Sequence, residues 1–422
     1  MTVAQDQVRS SIDAVWRIES ARVVSGLARL LGDLGLAEET AQDALVAAME
    51  QWPAEGIPRN PGAWLMTIGR RRAIDRIRRE ANLRQKLSLL APGLDDHEDP
   101  YDAADTRLDD QIGDDMLRLI FTACHPVLNA DARIALTLKT VGGLSTTEIA
   151  RAFLSTEPTI AQRIVRAKRT LAAKEVGFAA PTADELPERL PTVLSVIYLI
   201  FNEGYAASSG EDWLRPGLCR DALRLSRMLC RLLPDQPEVF ALTALMEFQA
   251  SRLNARTTID GRPILLLDQN RGRWDRLQIA RGLKSLDQVY ALGGGRSNYA
   301  LQAAIAACHA RARTAEDTDW VAISGLYDVL AEVAPSPVVE LNRAVALGMA
   351  YGPQAGLDLV DQLQEIPELA RYHLLPSVRG DLLARLGRNA EAAAEFRRAA
   401  ELAGNDQERE LSIMRAESLG EG

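Results

Sequence analysis

Residues 141–171, VGGLSTTEIARAFLSTEPTIAQRIVRAKRTL, decide how the chain around them is read. Ser145 followed three residues later by Glu148 is a capping box, in which each side chain satisfies a backbone N–H of the other residue. It predicts a short helix running to about Phe153. Residues 154–157, LSTE, read as a turn, and Pro158 stands in a first helical turn, where its missing N–H costs nothing. A second helix is expected to run to about Ala173. Ile160, Ile164, Ala167 and Leu171 share one face of it at helical spacing. Pro158, Thr159, Gln162, Arg163, Arg166, Arg169 and Thr170 fall on the other, with Lys168 on the flank. This is the layout of a helix-turn-helix: hydrogen-bonding side chains near the start of the second helix suit base edges, and arginines beyond them suit phosphates. A solvated helix of an ordinary bundle carries the same pattern, so the hairpin alone decides nothing about function.

The rest of the 422-residue chain is rich in Leu, Ala and Arg and poor in strand-like alternation, which predicts an all-α protein of several domains. The net charge of −9 excludes a surface that is basic throughout, so local fields matter more than the sum. Cys124, Cys219, Cys230 and Cys308 are scattered and only four histidines are present, so no disulfide framework and no metal site are expected. Adjacent Cys124 and His125 cannot easily face one ion and read as helix-end packing. With no apolar run long enough to span a bilayer and no secretory signal, the expectation is a cytoplasmic protein with no membrane partner.

N-terminal to the opening stretch, two helices are expected before residue 53. The first, a helix or helix pair from about Val8 to Leu34, carries Val15, Ile18, Val23, Leu27, Leu30, Leu31 and Leu34 at helical spacing; the second, from Ala37 to Trp52, has Ala41, Leu45, Ala48 and Trp52 on one side. Glu38, Glu39 and Asp43 give the second helix an acidic start, favourable to its dipole. Residues 53–61, PAEGIPRNP, form a loop. A third helix, from Gly62 to about Arg84, sets Ala63, Trp64, Ile68, Ile74 and Ile77 toward a core. Its Arg70, Arg71, Arg72, Arg76, Arg78 and Arg79 place six cations within residues 70–79, opposed only by Asp75. Such a cluster predicts phosphate affinity with a steep salt dependence. The charge then reverses: residues 91–115 are crowded with aspartates and read as a flexible acidic linker, with helices resuming at about Ile112. Two arginine-bearing helical modules on an acidic leash suit a protein that reads two short DNA elements at a spacing.

These residues resemble a known family. Residues 37–43, AEETAQD, are similar to the acidic helix by which bacterial sigma factors of the extracytoplasmic-function class dock on RNA polymerase. Residues 63–79, AWLMTIGRRRAIDRIRR, resemble that family's tryptophan-arginine signature for the −10 element, with Gly69-Arg70-Arg71 where the family often has Ala-Arg-Asn. Residues 136–171 resemble the domain that reads the −35 element, the turn and Pro158 departing from the common pattern. The resemblance implies sigma domain 2 over 8–90, an acidic linker over 91–111 and sigma domain 4 over 112–177. It implies promoter DNA and the clamp helices of the largest subunit of the polymerase core as partners. Glu38, Glu39, Gln42 and Asp43 would meet polymerase. Arg59, Asn60 and Trp64 would lie near an extruded −10 base, with Arg71, Arg72, Arg76 and Arg79 on the backbone; Asn60 could equally cap the helix behind Pro61, and Trp64 is partly structural. Thr159, Gln162, Arg163, Arg166 and Arg169 would meet the −35 element, Gln162 and Arg163 as readers.

Residues 181–191 are Pro-rich and read as a linker, and beyond them the chain divides into helical pairs. Gly380, Leu383, Ala392, Phe396 and Ala399 stand at the small-residue and aromatic positions of a tetratricopeptide unit, and Ala344, Leu347, Gly356 and Val360 mark another before it. The middle, residues 257–274, reads as a hairpin or loop turning at Asp260-Gly261. The whole resembles sigma factors with a long tetratricopeptide-like extension, here 185–422, which implies a regulatory region with a concave surface for a peptide or protein partner. Asn202, Glu203, Tyr205, Asp268, Asn270, Arg273 and Asp275 could line a site there or bond structurally between repeats. No nucleophile–base pair or phosphate loop predicts an enzyme, and no cofactor is expected. The alternative is a helix-turn-helix regulator with a tetratricopeptide sensor that does not act as a sigma subunit; it leaves the acidic and tryptophan-arginine helices unexplained.

Overall fold

The computed structural model describes residues 3–88, 108–153, 155–205, 216–258, 264–404 and 406–419. Among the described residues the regular elements are eighteen α-helices and three short 3-10 turns. They make two compact units, Met1–Leu199 and Ile200–Gly422.

In the first unit, α1 (Val3–Leu31), α2 (Leu34–Glu55) and α3 (Pro61–Ser88) pack pairwise on one another. α1 ends at Gly32, whose φ of +68° only glycine adopts without strain. Asp33 then caps α2, its carboxylate accepting the N–H of Leu36 at 2.8 Å. α2 buries a ladder of small residues, Ala37, Ala41, Ala44 and Ala48, ending on Trp52. The buried stripe of α3 is Leu65, Gly69 and Ala73, spaced by four. A β-carbon on Gly69 would come within 2.9 Å of Leu27, so glycine lets α3 lie close against α1. The expected inward set is therefore displaced. Trp64, Ile68, Ile74 and Ile77 flank the contact half-buried and Ala63 is exposed, because the residues that permit close approach are too small to register as hydrophobic. Ile18, expected in the core, is likewise 69% exposed.

α4 (Leu108–Ala123), α5 (Ala130–Thr140), α6 (Thr146–Ala152) and α7 (Glu157–Ala173) follow. α4 starts inside the stretch read as a linker, and residues 91–107 of that stretch lie outside the described residues. Asp115, read as the end of a solvated acidic run, is buried. It accepts from Arg29 Nε at 3.0 Å and Arg118 Nη1 at 3.1 Å. α4 thereby packs on α1, and the two modules expected at the ends of a leash lie against each other. The Pro-rich stretch is also shorter as a linker than its composition suggests. α8 (Leu186–Tyr205) begins within it and runs through Pro191, and Arg189 donates to the Phe121 carbonyl at 2.8 Å.

The second unit contains α9 (Pro216–Leu232), α10 (Pro237–Ala250), α11 (Arg276–Ala291), α12 (Asn298–Arg311), α13 (Trp320–Val333), α14 (Pro337–Tyr351), α15 (Pro353–Leu363), α16 (Leu374–Arg385), α17 (Asn389–Leu402) and α18 (Asp406–Ser418). Neighbouring helices of this unit pack on one another along the chain, as expected of stacked repeats. The predicted small-residue positions carry close crossings. A β-carbon on Gly356 would lie 2.6 Å from the Ala344 carbonyl, and one on Gly380 would lie 2.9 Å from the Phe396 ring. Leu383, Ala392, Phe396 and Ala399 are all buried.

Between α10 and α11 the described residues include two short 3-10 turns, Leu253–Ala255 and Arg271–Arg273. The Ile264 N–H donates to the Arg256 carbonyl at 2.7 Å, and the turn expected at Asp260-Gly261 lies outside the described residues. Buried Arg271 ties this segment down, donating to the carbonyls of His309 at 2.8 Å and Ala312 at 3.1 Å and to Thr318 Oγ1 at 2.9 Å. Of the polar residues offered for a site, Asn270 and Asp275 cap helical turns. Tyr205 accepts from Arg252 Nη2 at 2.7 Å and carries Arg256 over its ring. These contacts are structural bonds of the kind the sequence offers as one alternative. No helix among the described residues is long and apolar enough to cross a membrane.

Phe396→Ala should lower the stability of the second unit by about 3–5 kcal/mol, the usual cost of emptying a buried aromatic site, read from urea unfolding. His309 packs edge-on to Trp320, and burial beside Arg252 and Arg271 pushes its pKa down from 6.5 to about 4. The folded form holds it neutral while the unfolded chain binds a proton, so its contribution is complete above about pH 6.5 and is lost as pH falls toward 4. Replacing it with Phe should flatten the pH dependence of unfolding across that window.

Candidate nucleic-acid interface

The helix-turn-helix forms as its capping residues dictate. The Ser145 N–H donates to Glu148 Oε2 at 2.7 Å and the Glu148 N–H to Ser145 Oγ at 3.1 Å, closing the box. Thr156 caps α7 by accepting the Thr159 N–H, with Pro158 in the first turn. Thr147 Oγ1 donates to Glu157 Oε2 at 3.0 Å and ties the start of α7 to α6. Ile160, Ile164, Ala167 and Leu171 are buried as their spacing predicts. Thr159, Gln162, Arg166 and Arg169 are exposed or half-buried on one face, and Arg163 is half-buried beside them. Its Nη2 lies 3.2 Å from Asp131 of α5.

On the other surface, the expected 53–61 loop is cut to residues 56–60, because α2 runs through Pro53 to Glu55 and α3 starts at Pro61, and Arg59 is exposed in it. Asn60 caps α3, its Oδ1 accepting the Ala63 N–H at 3.1 Å, which realises the capping alternative. Trp64 meets Trp52 edge-to-face with ring centroids 5.2 Å apart, so its packing role is real. Arg71 and Arg79 are exposed. Arg72 lies 3.4 Å from Asp43, and Arg76 lies 3.2 Å from Glu39. The arginines expected to hold DNA are thus paired with the carboxylates expected to meet polymerase, across one helix–helix contact.

Glu38 and Gln42, the other two residues of the acidic set, turn a different way. Glu38 is buried and paired with Lys168 of α7. Gln42 lines a cleft of about 650 Å³ that it shares with Trp16 and Ile18 of α1 and with Lys139, Ser145 and Glu148. By spacing, Lys168 stands on the flank of its helix, and nothing in the pattern distinguishes it from a solvated lysine. Asp131 gives no signal either, being one acidic residue in the first turn of a helix.

A model of sigma-70 region 2 matches residues 17–82, and a model of sigma-70 region 4 matches residues 118–171. The first covers the acidic and arginine helices and the second the helix-turn-helix. The chain belongs to the sigma-70 family, in its extracytoplasmic-function class. A third model, of a family of unknown function, matches residues 189–290 of this sigma factor. It is 44% identical over 407 residues to an uncharacterized protein of Rhizobium meliloti, covering 94% of this chain and 93% of that one. It is 32% identical over 156 residues to the ECF RNA polymerase sigma factor SigK of Mycobacterium tuberculosis, covering 36% of this chain and 78% of the relative. Among solved structures, yeast Tom70 aligns over 99% of this chain and 84% of its own, at 12% identity and a TM-score of 0.31, too low to inform the fold. The match to region 2 disfavours a plain helix-turn-helix regulator, which has no need of the acidic and arginine helices.

Lys168→Ala leaves the buried Glu38 carboxylate without its cation. The loss should be about 3 kcal/mol, the scale for breaking a buried pair. Faster amide exchange in α2 and α7, recovered when Glu38→Leu is combined with Lys168→Met, checks it.

Proposed function

We propose that this sigma factor carries polymerase to promoters through two faces and that docking on polymerase readies the first of them for DNA. The observation that supports the reading is the pairing of Arg72 with Asp43 and Arg76 with Glu39. Each pair is largely exposed and worth little to stability, so it is easily exchanged. Basic residues on the polymerase clamp helices take over Glu39 and Asp43, and Arg72 and Arg76 then turn to phosphate oxygens together with Arg71 and Arg79. Arg59 and Trp64 border the extruded −10 base, whose unstacking costs a few kcal/mol. Asn60 offers a base edge only as far as its capping bond allows.

Full docking through Glu38 and Gln42 also requires the helix-turn-helix module to leave α2, since Lys168 and the cleft residues cover them. Once released, α7 enters the major groove at the −35 element. Thr159, Gln162 and Arg163 face base edges there, and Arg166 and Arg169 hold phosphates. The helical-repeat unit modulates this cycle by binding a peptide or protein along its stacked helices. The work is cytoplasmic, where polymerase and chromosome are.

Run-off transcription with core polymerase tests the reading. The full chain should initiate at its promoter, and core alone should not. Arg76→Ala with Arg79→Ala should reduce open-complex formation about equally at all its promoters. The salt dependence should flatten by about one unit of log–log slope for each phosphate no longer neutralised. Initiation without the added chain, or open complexes indifferent to both arginines, would refute it. A chain ending at Tyr205, which keeps α8 whole, shows in the same assay what the repeat unit does.

A further inference from the structure

The DNA-facing side of α7 is not purely cationic. It forms one wall of a groove of about 470 Å³ whose other wall is the start of α5, with Thr159, Gln162, Arg163 and Arg166 facing Asn129 and Asp131. Asn129 is occupied in capping α5, accepting the Ala132 N–H at 2.9 Å. Asp131 makes no capping hydrogen bond; it stands in the first turn of α5, where its charge favours the helix dipole but leaves its carboxylate oxygens open to a cation. Its side chain is 65% exposed and its carboxylate lies 3.2 Å from Arg163 Nη2, while Arg163 is only 32% exposed. Arg166 and Arg169, on the same face, make no ion pair with a carboxylate among the described residues.

A carboxylate beside a phosphate-binding surface is electrostatically unfavourable, so its presence here needs a reason. An arginine with no partner swings to the nearest phosphate and takes the same contact on any sequence. An arginine whose guanidinium is held on one side keeps its remaining N–H pair aimed in one direction, and that planar fork matches the O6 and N7 acceptors of guanine. Asp131 also repels the phosphates that would compete for Arg163.

We propose that Asp131 is a specificity-determining positioning residue, which holds Arg163 as a reader of a single guanine in the upstream promoter element. The proposal rests on the reading of α7 as the −35 helix. Arg163 touches the base, and Asp131 acts through Arg163.

The test uses holoenzyme assembled with the full chain and promoters carrying each of the four bases at every position of the upstream element. Arg163→Ala should lose the preference for guanine at one position. Asp131→Ala should lose preference at that same position, by about tenfold, within the range that one bidentate contact supplies. Asp131→Glu should restore it, and the double variant should lose no more than Arg163→Ala alone. The salt slope of promoter binding should steepen by about one in Asp131→Ala as Arg163 turns to a phosphate. Asp131→Asn, which keeps the shape of the side chain, separates loss of charge from loss of packing and should behave like the alanine variant.

Retention by Asp131→Ala of a guanine preference that Arg163→Ala loses would overturn the proposal and leave the −35 reading standing. A uniform loss in Arg163→Ala across all upstream sequences would overturn it as well, by making Arg163 a phosphate contact. A holoenzyme with unaltered chain that shows no upstream preference at all would instead remove the reading beneath it.

Discussion

The first unit depends on what happens to the carboxylates of α2. Four polar residues in one and a half turns cannot all be solvated on a helix that also carries a buried alanine ladder. The chain gives each a partner or a place: Glu38 goes to Lys168, Glu39 to Arg76, Asp43 to Arg72, and Gln42 to the cleft shared with α1 and the helix-turn-helix module. The pairs differ in kind. Glu39 and Asp43 are on the surface, where an ion pair is screened and cheaply exchanged. Glu38 is buried, where a carboxylate without its cation is costly. The same helix therefore has one rim that yields readily to a competing partner and one that yields only if a whole module moves. Under the proposed reading, this gradient in burial is what would order the binding of polymerase and DNA.

Close approach of backbones sets the rest of the architecture. Gly69 admits α3 against Leu27, and Gly356 admits α15 against the backbone of α14 at Ala344 and Gly348. At Gly69 a large side chain fills the space that a missing one leaves, and at Gly356 backbone meets backbone. The contact then gains dispersion energy from backbone atoms and loses little side-chain entropy. In α3 this has a further effect. A core stripe made of Leu65, Gly69 and Ala73 is narrow, so most of the circumference is left for arginines.

The same contrast explains which parts are legible in the sequence. Caps are legible because their chemistry is local: Ser145, Glu148 and Asn60 bond within three residues of themselves. The buried face of α7 and the repeat positions around Phe396 are legible because period and size agree there. The inward face of α3 is not, since Gly69 and Ala73 carry no hydrophobic signal. The helical start of α4 and the burial of Asp115 are hidden for another reason: an aspartate in an acidic run looks solvated until Arg29, distant in sequence, is found beside it. Lys168 and Asp131 escape notice likewise. A pair formed across a tertiary contact leaves no trace in spacing, and the candidate site consists largely of such pairs.

Under the proposed reading the two DNA-facing surfaces use carboxylates in opposite ways, and the difference follows from where each carboxylate is attached. On α3, the acids that hold Arg72 and Arg76 belong to another helix and are expected to face another partner, so when that partner arrives the arginines change hands. On α7, Asp131 belongs to the same small module as Arg163, so under the proposed reading it travels with Arg163 into the groove and stays within reach of it there. An exchangeable carboxylate controls when a cation meets DNA, and a permanent one controls what the cation can read there. In a chain of net charge −9, strong indiscriminate attraction to nucleic acid is already disfavoured. Arginines that must work against that background are useful only if each is released or aimed, and under the proposed reading the pairs on α3 and on α7 do one of these each.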